Sequence, residues 1–299
     1  MMMSSYPGAL SSIDDWYVMD SGLATMETTN DVLNNTLYTM YVKPQSLFTW
    51  HRVRVCNALT TSAQEWVHTF AKYNSGTYNN QWMALEYKSF VRGQPLKDGL
   101  LWIAEQVMYS IVLLLFFFFL ISIHTVQQMP GSVAFADVTS VLERGYWASY
   151  NVPSIESVYV KSGYPALVAK QGPSHSYDLA PRSRLYRSYV NSMDRNLSTV
   201  QKFMRYNDYK NDALQNGNPS WAIMSRYDLE PMSNHPSPFG GYDSKLCNLD
   251  MLYTMSARVQ AGPTHDDLPP FSWNDWPQYM HDGLPITYDF DWITITPKL

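Results

Sequence analysis

Two short runs of histidine and aspartate carry the residue types that most often do chemistry. They are HDD at residues 265–267 and HD at residues 281–282, where an imidazole adjoins carboxylates that could share a metal ion or a proton. Both runs lie close to Pro or Gly, where such residues more often form turns and caps, and we favour that interpretation. No two of the seven histidines are spaced four apart around a carboxylate. We therefore expect no helical zinc site, and nothing else in the sequence indicates a cofactor.

The common signatures of catalytic loops are absent from the sequence. There is no G-x-S-x-G elbow, no G-x-x-x-x-G-K-[ST] phosphate loop, no G-x-G-x-x-G and no H-E-x-x-H. A terminal serine can use its own α-amine as a base, but Ser4 becomes terminal only after removal of three methionines, so we do not favour it. The two cysteines, Cys56 and Cys247, allow at most one disulfide and form no metal-type cluster.

The composition predicts a globular chain that does not bind polyanions. Of the 299 residues, 45% are hydrophobic and 16% are charged, a balance typical of folded proteins. The formal net charge is -5 and no run of Lys or Arg occurs, so neither nucleic acid nor an anionic membrane surface is an expected partner. Aromatic residues make up 15% of the chain, which suits packed sheets or an amphipathic cleft.

Strands are predicted where side chains alternate between apolar and polar. Two β-prone runs, DDWYVMD (14–20) and LATMETT (23–29), flank a Ser-Gly turn dipeptide and predict a hairpin. The runs QWMALEYKSF (81–90) and SVAFADVT (132–139) also alternate like strands. The sequence therefore contains at least one sheet.

Helices are predicted where apolar residues recur at helical spacing. These segments are Arg54–Tyr73, Tyr189–Met204 and Leu249–Val259. No internal repeat occurs, and no linker rich in Pro, Gly or Ser divides the chain. We therefore predict a single α+β domain over residues 1–299.

Eight long phrases follow one another from one end of the chain to the other: SSYPG (4–8), DSGLATMETT (20–29), YNSGTYNNQWM (73–83), ADVTSVL (136–142), YWASYNVPS (146–154), SYDLAPRSRLYR (176–187), MRYNDY (204–209) and GPTHDDLPPFSW (262–273). In these phrases the chain resembles the phospholipase B-like family of lysosomal proteins. The resemblance implies the N-terminal-nucleophile hydrolase fold, an αββα sandwich. It also implies a precursor that cleaves itself so that a Cys, Ser or Thr becomes the terminal nucleophile.

In that family the nucleophile, and a His-x-Thr-Trp type phrase after it, lie upstream of the SSYPG phrase, whereas this chain begins with MMM directly before it. We therefore expect a large-chain portion of a phospholipase B-like hydrolase, incomplete at its N-terminus and inactive alone. Its reaction would be hydrolysis of acyl ester or amide bonds of lipid-like substrates. The expected partners are the N-terminal small chain of the same precursor and a lipid-like small molecule, and a homo-oligomer is a further candidate assembly.

The resemblance draws attention to three polar residues that would support the nucleophile. Thr29 offers a hydroxyl at a strand end, Asn151 an amide donor for an oxyanion, and Arg182 a fixed charge that orients a carbonyl or an anionic head group. From the residue types alone, ordinary structural roles are favoured for all three. The resemblance reverses that order for Asn151 and Arg182, and it leaves both roles open for Thr29.

The expected location of the full-length protein is the lysosome or the extracellular space. Two sequons, at Asn34 and Asn196, are candidate glycosylation sites and agree with a secretory route. The amino terminus MMMSSYPGAL has neither a charged region nor an apolar region of a signal peptide. A signal peptide is therefore expected to be absent from this chain.

Residues 107–128, VMYSIVLLLFFFFLISIHTVQQ, form an apolar run unlike the rest of the sequence. A membrane span needs about 20 apolar residues to cross a core of about 30 Å, and a span here would separate parts of one domain across a bilayer. Removing the run joins Glu105-Gln106 directly to Met129-Pro130, which is the order of residues in family members. We predict a non-native insertion, a retained intron or gene-model error, and no transmembrane span.

A second function from another class stays open at this point. The chain could belong to a non-catalytic lysosomal or secreted glycoprotein that binds a lipid or a sugar through an aromatic cleft. An upstream signal peptide and nucleophile in the transcript would favour the hydrolase, and their absence from a full-length transcript would favour the binding protein.

Overall fold

The computed structural model describes residues 1–5, 8–9, 11, 16–107, 123–126 and 132–296. The chain forms two compact units, Met1–Leu179 and Ala180–Leu299, and each is described by itself. Both units contain helices and strands, which confirms the predicted α+β class. The single domain and the αββα sandwich stay predictions.

The first unit is built on one antiparallel sheet of seven strands. In chain order the strands are β1 (Met2–Met3), β2 (Trp16–Val18), β3 (Ala24–Thr29), β4 (Asn80–Leu85), β5 (Leu101–Val107), β6 (Ile123–Val126) and β7 (Ser132–Asp137). Their order across the sheet is β1-β2-β3-β4-β5-β7-β6. The predicted hairpin is confirmed as β2 and β3, and its turn residue Gly22 has φ 88, a value that glycine adopts without strain.

Helices cover both faces of this sheet. In chain order they are α1 (Thr36–Tyr41), α2 (Thr49–Leu59), α3 (Ala63–Phe70), α4 (Glu156–Ser162) and α5 (Tyr164–Gln171). Because side chains alternate along a strand, Trp82 and Trp102 point to one face, where they share a buried core with Trp66 of α3. Ile103 points to the other face and packs with Val158 of α4.

The helix predicted over Arg54–Tyr73 is wrong in its bounds, because two helices, α2 and α3, occupy this region. The chain leaves α2 after Leu59, and Ser62 then caps α3 by accepting a hydrogen bond from the Glu65 amide at 3.2 Å. The Glu65 carboxylate accepts in return from the Thr61 amide at 3.0 Å. This reciprocal capping box satisfies main-chain donors that a continuous helix would not expose, so it fixes the break.

The two other predicted strands are confirmed with shorter bounds. The run predicted over residues 81–90 is strand only from Asn80 to Leu85, and a 3-10 turn, Tyr87–Ser89, follows it. The run predicted over 132–139 is strand from Ser132 to Asp137.

The second unit combines three helices with two small antiparallel sheets. Its elements are α6 (Pro181–Tyr189), α7 (Leu197–Met204), β8 (Ser244–Leu246), α8 (Leu249–Tyr253), β9 (Ala257–Gln260), β10 (Phe271–Ser272), β11 (Thr287–Tyr288) and β12 (Ile293–Ile295). One sheet has the order β12-β9-β8 and the other pairs β10 with β11.

Two helix predictions in this unit are wrong. The helix predicted over Tyr189–Met204 is two helices, because α6 ends at Tyr189 and α7 begins only after Asn196, whose side chain caps it by accepting from the Thr199 amide at 2.9 Å. The helix predicted over Leu249–Val259 stops at Tyr253. Met255 has φ 49, a left-handed conformation that ends a helix, and the chain continues as β9.

Most of the predicted insertion at 107–128 lies outside the described residues. Val107 ends β5, and 123–126 form β6 at the sheet edge, paired with β7. Within the part of the chain that the structure describes, no helix has the length and apolarity needed to cross a bilayer.

Candidate active site

One end of the large sheet gathers polar side chains from three neighbouring strands. The register places Thr28 of β3 opposite Gln81 of β4, and Gln81 opposite Glu105 of β5. It also places Thr29 opposite Asn80. Polar residues so deep in a sheet need hydrogen-bond partners, and a segment on one face of the sheet supplies several of them.

That segment, residues 146–155, carries Asn151 and is fastened to all three strands. The Asn151 amide nitrogen donates to the main-chain carbonyl of Thr29 at 2.7 Å. The hydroxyls of Ser149 and Thr28 also share a hydrogen bond. The structure thus brings together two of the predicted site residues, Thr29 and Asn151, but Thr29 contributes its carbonyl to this contact rather than its hydroxyl.

The backbone at Asn151 is left-handed, with φ 61. Asparagine adopts this conformation more readily than most residues, because its short side chain bonds locally. The Tyr164 hydroxyl holds the same turn by donating to the Asn151 carbonyl at 3.1 Å. Backbone and side chain of Asn151 are therefore both fixed, as a preorganised donor requires.

A buried carboxylate, Glu105, attaches the far end of this segment to the sheet. Its side chain is fully buried and accepts from the amide and hydroxyl of Ser154 at 2.7 and 2.8 Å, and from the Ile155 amide at 3.0 Å. Gln81 donates to the same carboxylate and accepts from the Trp147 indole at 3.2 Å. Burial raises the pKa of Glu105, and the donors around the carboxylate oppose part of that shift.

Three asparagines beside this network have buried polar atoms with no partner among the described residues. Both amide atoms of Asn30 and of Asn80 are unpaired, as is Oδ1 of Asn79. Asn30 is 4% exposed and Asn80 is 0% exposed, and the Asn30 amide donates to the Asn79 carbonyl at 2.8 Å, so these residues adjoin. We call Asn30, Asn79 and Asn80 the asparagine cluster.

The phrase NSGTYNNQWM (74–83) forms a tight turn that leads into the buried strand β4. Tyr73, Gly76 and Tyr78 have positive φ, and β4 follows. Asn74 accepts from the buried Arg52 guanidinium at 2.9 Å and from the Gln106 amide at 3.0 Å. Burial lowers the pKa of Arg52 to about 9, and its hydrogen bond to Asn74 ties α2 to the turn.

The other predicted residues lie at several places in the two units. Arg182 is in the first turn of α6, in the second unit. Asn34 is exposed and accepts from the Thr36 hydroxyl of its own sequon at 2.7 Å. Asn196 is exposed at the start of α7, and its amide nitrogen donates to Asp194 at 2.6 Å. Both sequons are therefore accessible from solvent.

The histidine–aspartate runs contact other side chains of the second unit. The Arg205 guanidinium donates to Asp266 at 3.3 Å, and His265 lies 3.4 Å from Asp289. The ring of His281 stacks on Trp273 with centroids 5.2 Å apart. Among the described residues, no three His, Cys, Asp or Glu side chains are grouped as metal ligands.

Neither cysteine is disulfide-bonded, and neither is an activated nucleophile. Burial raises the pKa of the Cys56 thiol and of the Cys247 thiol to about 12 in each case. At neutral pH both are therefore protonated thiols, which attack carbonyls poorly.

Sequence reasoning named Thr29 and Asn151 as candidates and did not single out Glu105, Gln81 or the asparagine cluster. The strand contacts among these residues join positions far apart in the chain, so no local pattern predicts them. The one available signal was the density of asparagine in the phrases TTN (28–30) and TYNN (77–80).

Comparison with known proteins gives consistent matches over nearly the whole chain. A family model described as Phospholipase B matches residues 1–113 and 121–295. Phospholipase B-like 1 of Rattus norvegicus is 40% identical over 300 residues, which cover 100% of this chain and 50% of the relative. Phospholipase B-like protein A of Dictyostelium discoideum is 39% identical over 303 residues, with 99% and 49% covered. Phospholipase B of Crotalus adamanteus is 39% identical over 297 residues, with 99% and 49% covered.

The chain spans about half the length of the curated relatives it matches. The family match is interrupted at residues 114–120, inside the predicted insertion. It includes the segment that carries Asn151, the strands beneath that segment, and the helix that carries Arg182. Because the match extends over most of both compact units, the chain belongs to the phospholipase B family.

Proposed function

We propose that the chain is the larger portion of a hydrolase that cleaves acyl ester or amide bonds of lipid-like substrates. Relatives named phospholipase B support the reaction class. The proposed fold is the N-terminal-nucleophile αββα sandwich, and the proposed intermediate is an acyl-enzyme formed on a Cys, Ser or Thr outside this chain. The chain alone would then be inactive.

The observation that carries this proposal is the anchoring of Asn151. Its left-handed backbone and its bond to the Thr29 carbonyl hold an amide at the end of the sheet, on a segment fastened by Glu105. An oxyanion donor acts best when it is fixed before the reaction, because no reorganisation is then needed as charge develops. In this proposal Asn151 stabilises the oxyanion and Arg182 orients the carbonyl or the head group.

The asparagine cluster supports a second chain segment as a partner. A buried amide without a partner costs about 1–3 kcal/mol, and three adjacent residues here carry such atoms. These atoms are covered in this chain, so an extended main chain would supply donors and acceptors to them by displacing the residues that cover them. We propose that the upstream small chain of the precursor docks there, and that the full-length protein is a glycoprotein of the lysosome or the extracellular space, with glycans on Asn34 and Asn196.

The test uses this chain and a precursor extended by the upstream coding sequence to the length of the relatives. A fluorophosphonate probe and an activated ester should label the processed precursor and leave this chain unlabelled. Asn151→Ala in the precursor should lower the rate of labelling by about 100-fold, the loss typical of one oxyanion donor. Labelling of this chain alone would overturn its proposed inactivity, and a fully active Asn151→Ala precursor would overturn the role of Asn151.

The alternative is a non-catalytic glycoprotein that binds a lipid or a sugar. A polar cavity in the second unit, described below, favours a binding role of this kind. A processed precursor that binds a ligand but forms no acyl-enzyme with either probe would support the alternative.

A further inference from the structure

A polar cavity of about 490 Å³ lies in the second unit, beside the end of α7 and the loop at 264–267. Its size falls in the range of small-molecule sites. The residues that line it among those described are all polar or charged, and three of them carry carboxylates: Asp208, Asp266 and Asp267. One ammonium group, that of Lys202, lines the same cavity.

Arg205 makes one wall of this cavity rigid. The side chain is 1% exposed, and its guanidinium donates to the carbonyls of Gly262 at 3.1 Å and Pro263 at 2.9 Å. It also donates to the Asp266 carboxylate at 3.3 Å. These hydrogen bonds connect the end of α7 to the loop that carries Asp266 and Asp267, so they fix this part of the cavity wall.

Asn207 also lines the cavity, and its side chain is held in place. The residue is 5% exposed, and its amide nitrogen donates to the carbonyls of Pro219 and Met224 at 2.9 Å each. These two bonds fix the Asn207 side chain against residues 219–224.

We infer that this cavity binds a polyhydroxylated ligand, either a sugar or a polyol head group. Each hydroxyl both donates and accepts, and the wall offers acceptors on Asp208 and Asp267 and a donor on Lys202. The lining contains no Leu, Ile, Val, Met or Phe side chain against which an acyl chain could pack, and a simple anion would face three carboxylates. The inference does not depend on the proposed hydrolysis.

The experiment titrates the purified chain with D-mannose, myo-inositol and glycerol, and uses octanoate as the apolar probe. Binding is followed by saturation-transfer NMR and by chemical shifts of the protein. Millimolar binding is expected for at least one polyol and none for octanoate. Asp267→Asn removes one charged acceptor and should weaken that binding at least about tenfold, since hydrogen bonds to charged groups are the stronger ones.

The matched control is Asp282→Asn, which removes an exposed carboxylate of the same unit that does not line the cavity. It should leave the affinity unchanged. Both variants should keep the melting temperature of the parent chain, so that a loss of binding is not a loss of folding. A response to mannose alone would identify a sugar site, and a response to inositol or glycerol alone would identify a head-group site. Absence of binding by all three polyols, or equal affinity in Asp267→Asn, would overturn the inference.

Discussion

Glu105 joins the segment that carries Asn151 to the sheet, so its replacement should loosen the candidate site. Glutamine is nearly the same shape, but its NH2 group would meet the N–H of Ile155 or the donors at Ser154. We expect Glu105→Gln to lower the free energy of unfolding by about 1–3 kcal/mol, the cost of a buried group left unsatisfied. Urea denaturation measures this, and Glu143→Gln, at an exposed position, is the control.

The raised pKa of Glu105 also predicts how stability depends on pH. Between the ordinary glutamate pKa and the raised pKa, the folded state holds a proton that the unfolded state has lost, so stability falls as pH rises. The contribution is fully present below the ordinary value of about 4.3. Unfolding measured across this window should show a decline in the parent chain and in Glu143→Gln that is absent in Glu105→Gln. The same decline in all three proteins would show that the pH dependence does not come from the raised pKa of Glu105.

At Asn151 the contributions of the backbone conformation and of the side chain to the free energy of unfolding can be measured separately. At φ 61 a residue with a Cβ is strained by about 1–2 kcal/mol, whereas glycine is not. Asn151→Ala should therefore be less stable than Asn151→Gly by about 1 kcal/mol, the reverse of the usual order. Denaturant unfolding of both variants measures the difference.

The control is Asn216, an exposed asparagine with φ 51. Its alanine and glycine variants report the backbone contribution at a site that does not contact Thr29. If Asn151→Ala equals or exceeds Asn151→Gly in stability, while the Asn216 pair shows the expected order, the left-handed backbone at Asn151 is wrong.

At the scale of helices and strands, the sequence predicted the elements that depend on interactions between residues close together in the chain. The β2–β3 hairpin follows from two alternating runs around a Ser-Gly turn, and it is present. The predicted helix over 54–73 is wrong because a capping box at Ser62 begins a new helix although the spacing of apolar residues continues. The predicted helix over 249–259 is wrong because the left-handed backbone at Met255 prevents its continuation. Capping and backbone reversal depend on single residues, so a periodicity argument overlooks them.

The candidate site could be predicted only in part, for the same physical reason. Thr29 and Asn151 came from the resemblance, and the structure places them in contact. Glu105 and Gln81 are 24 residues apart and meet through strand register, which no short pattern in the sequence encodes. Buried polar networks of this kind are selected by tertiary packing, so the sequence alone gives no periodic signal for them.

The register of β5 and β7 makes the predicted insertion testable. Gln106 is paired with Val133, so removing 107–128 leaves residues 129–132 between them. A loop of about four residues is a common hairpin connection, and Pro-Gly is a turn dipeptide. We expect the deletion variant to keep the circular dichroism spectrum and unfolding cooperativity of the parent chain and to gain soluble yield.

The matched control removes only residues 114–120, which the family match skips. It removes LLFFFFL but keeps β6 and the other residues of the run, so it should gain less soluble yield than the full deletion. Loss of cooperative unfolding in the full deletion would contradict the prediction. Sequencing of the mature transcript across codons 100–135 tests its cause independently, because the 22 codons should be absent.

At the scale of the whole molecule, the proposed docking of an upstream segment rests on the asparagine cluster, which carries buried polar atoms without partners among the described residues. Buried polar groups in proteins are nearly always hydrogen-bonded, and a neighbouring main chain offers both donors and acceptors. This is why we place the docking of the proposed upstream segment at Asn30, Asn79 and Asn80, and why the effect of a substitution there should depend on the length of the chain.

Asn80→Leu tests this dependence, because leucine has a similar volume and no polar atoms. In the chain as it stands the substitution removes two unpaired buried groups, so the free energy of unfolding should be unchanged or increase. In the extended precursor it should decrease by about 1–3 kcal/mol, since partners would then be lost. Asn57→Leu is the matched control. The side-chain Oδ1 of Asn57 accepts a hydrogen bond from the Trp66 indole at 2.8 Å, so the loss of this atom should destabilise both proteins. Strong destabilisation of the short chain by Asn80→Leu, or neutrality in both lengths, would remove the asparagine cluster as the docking site.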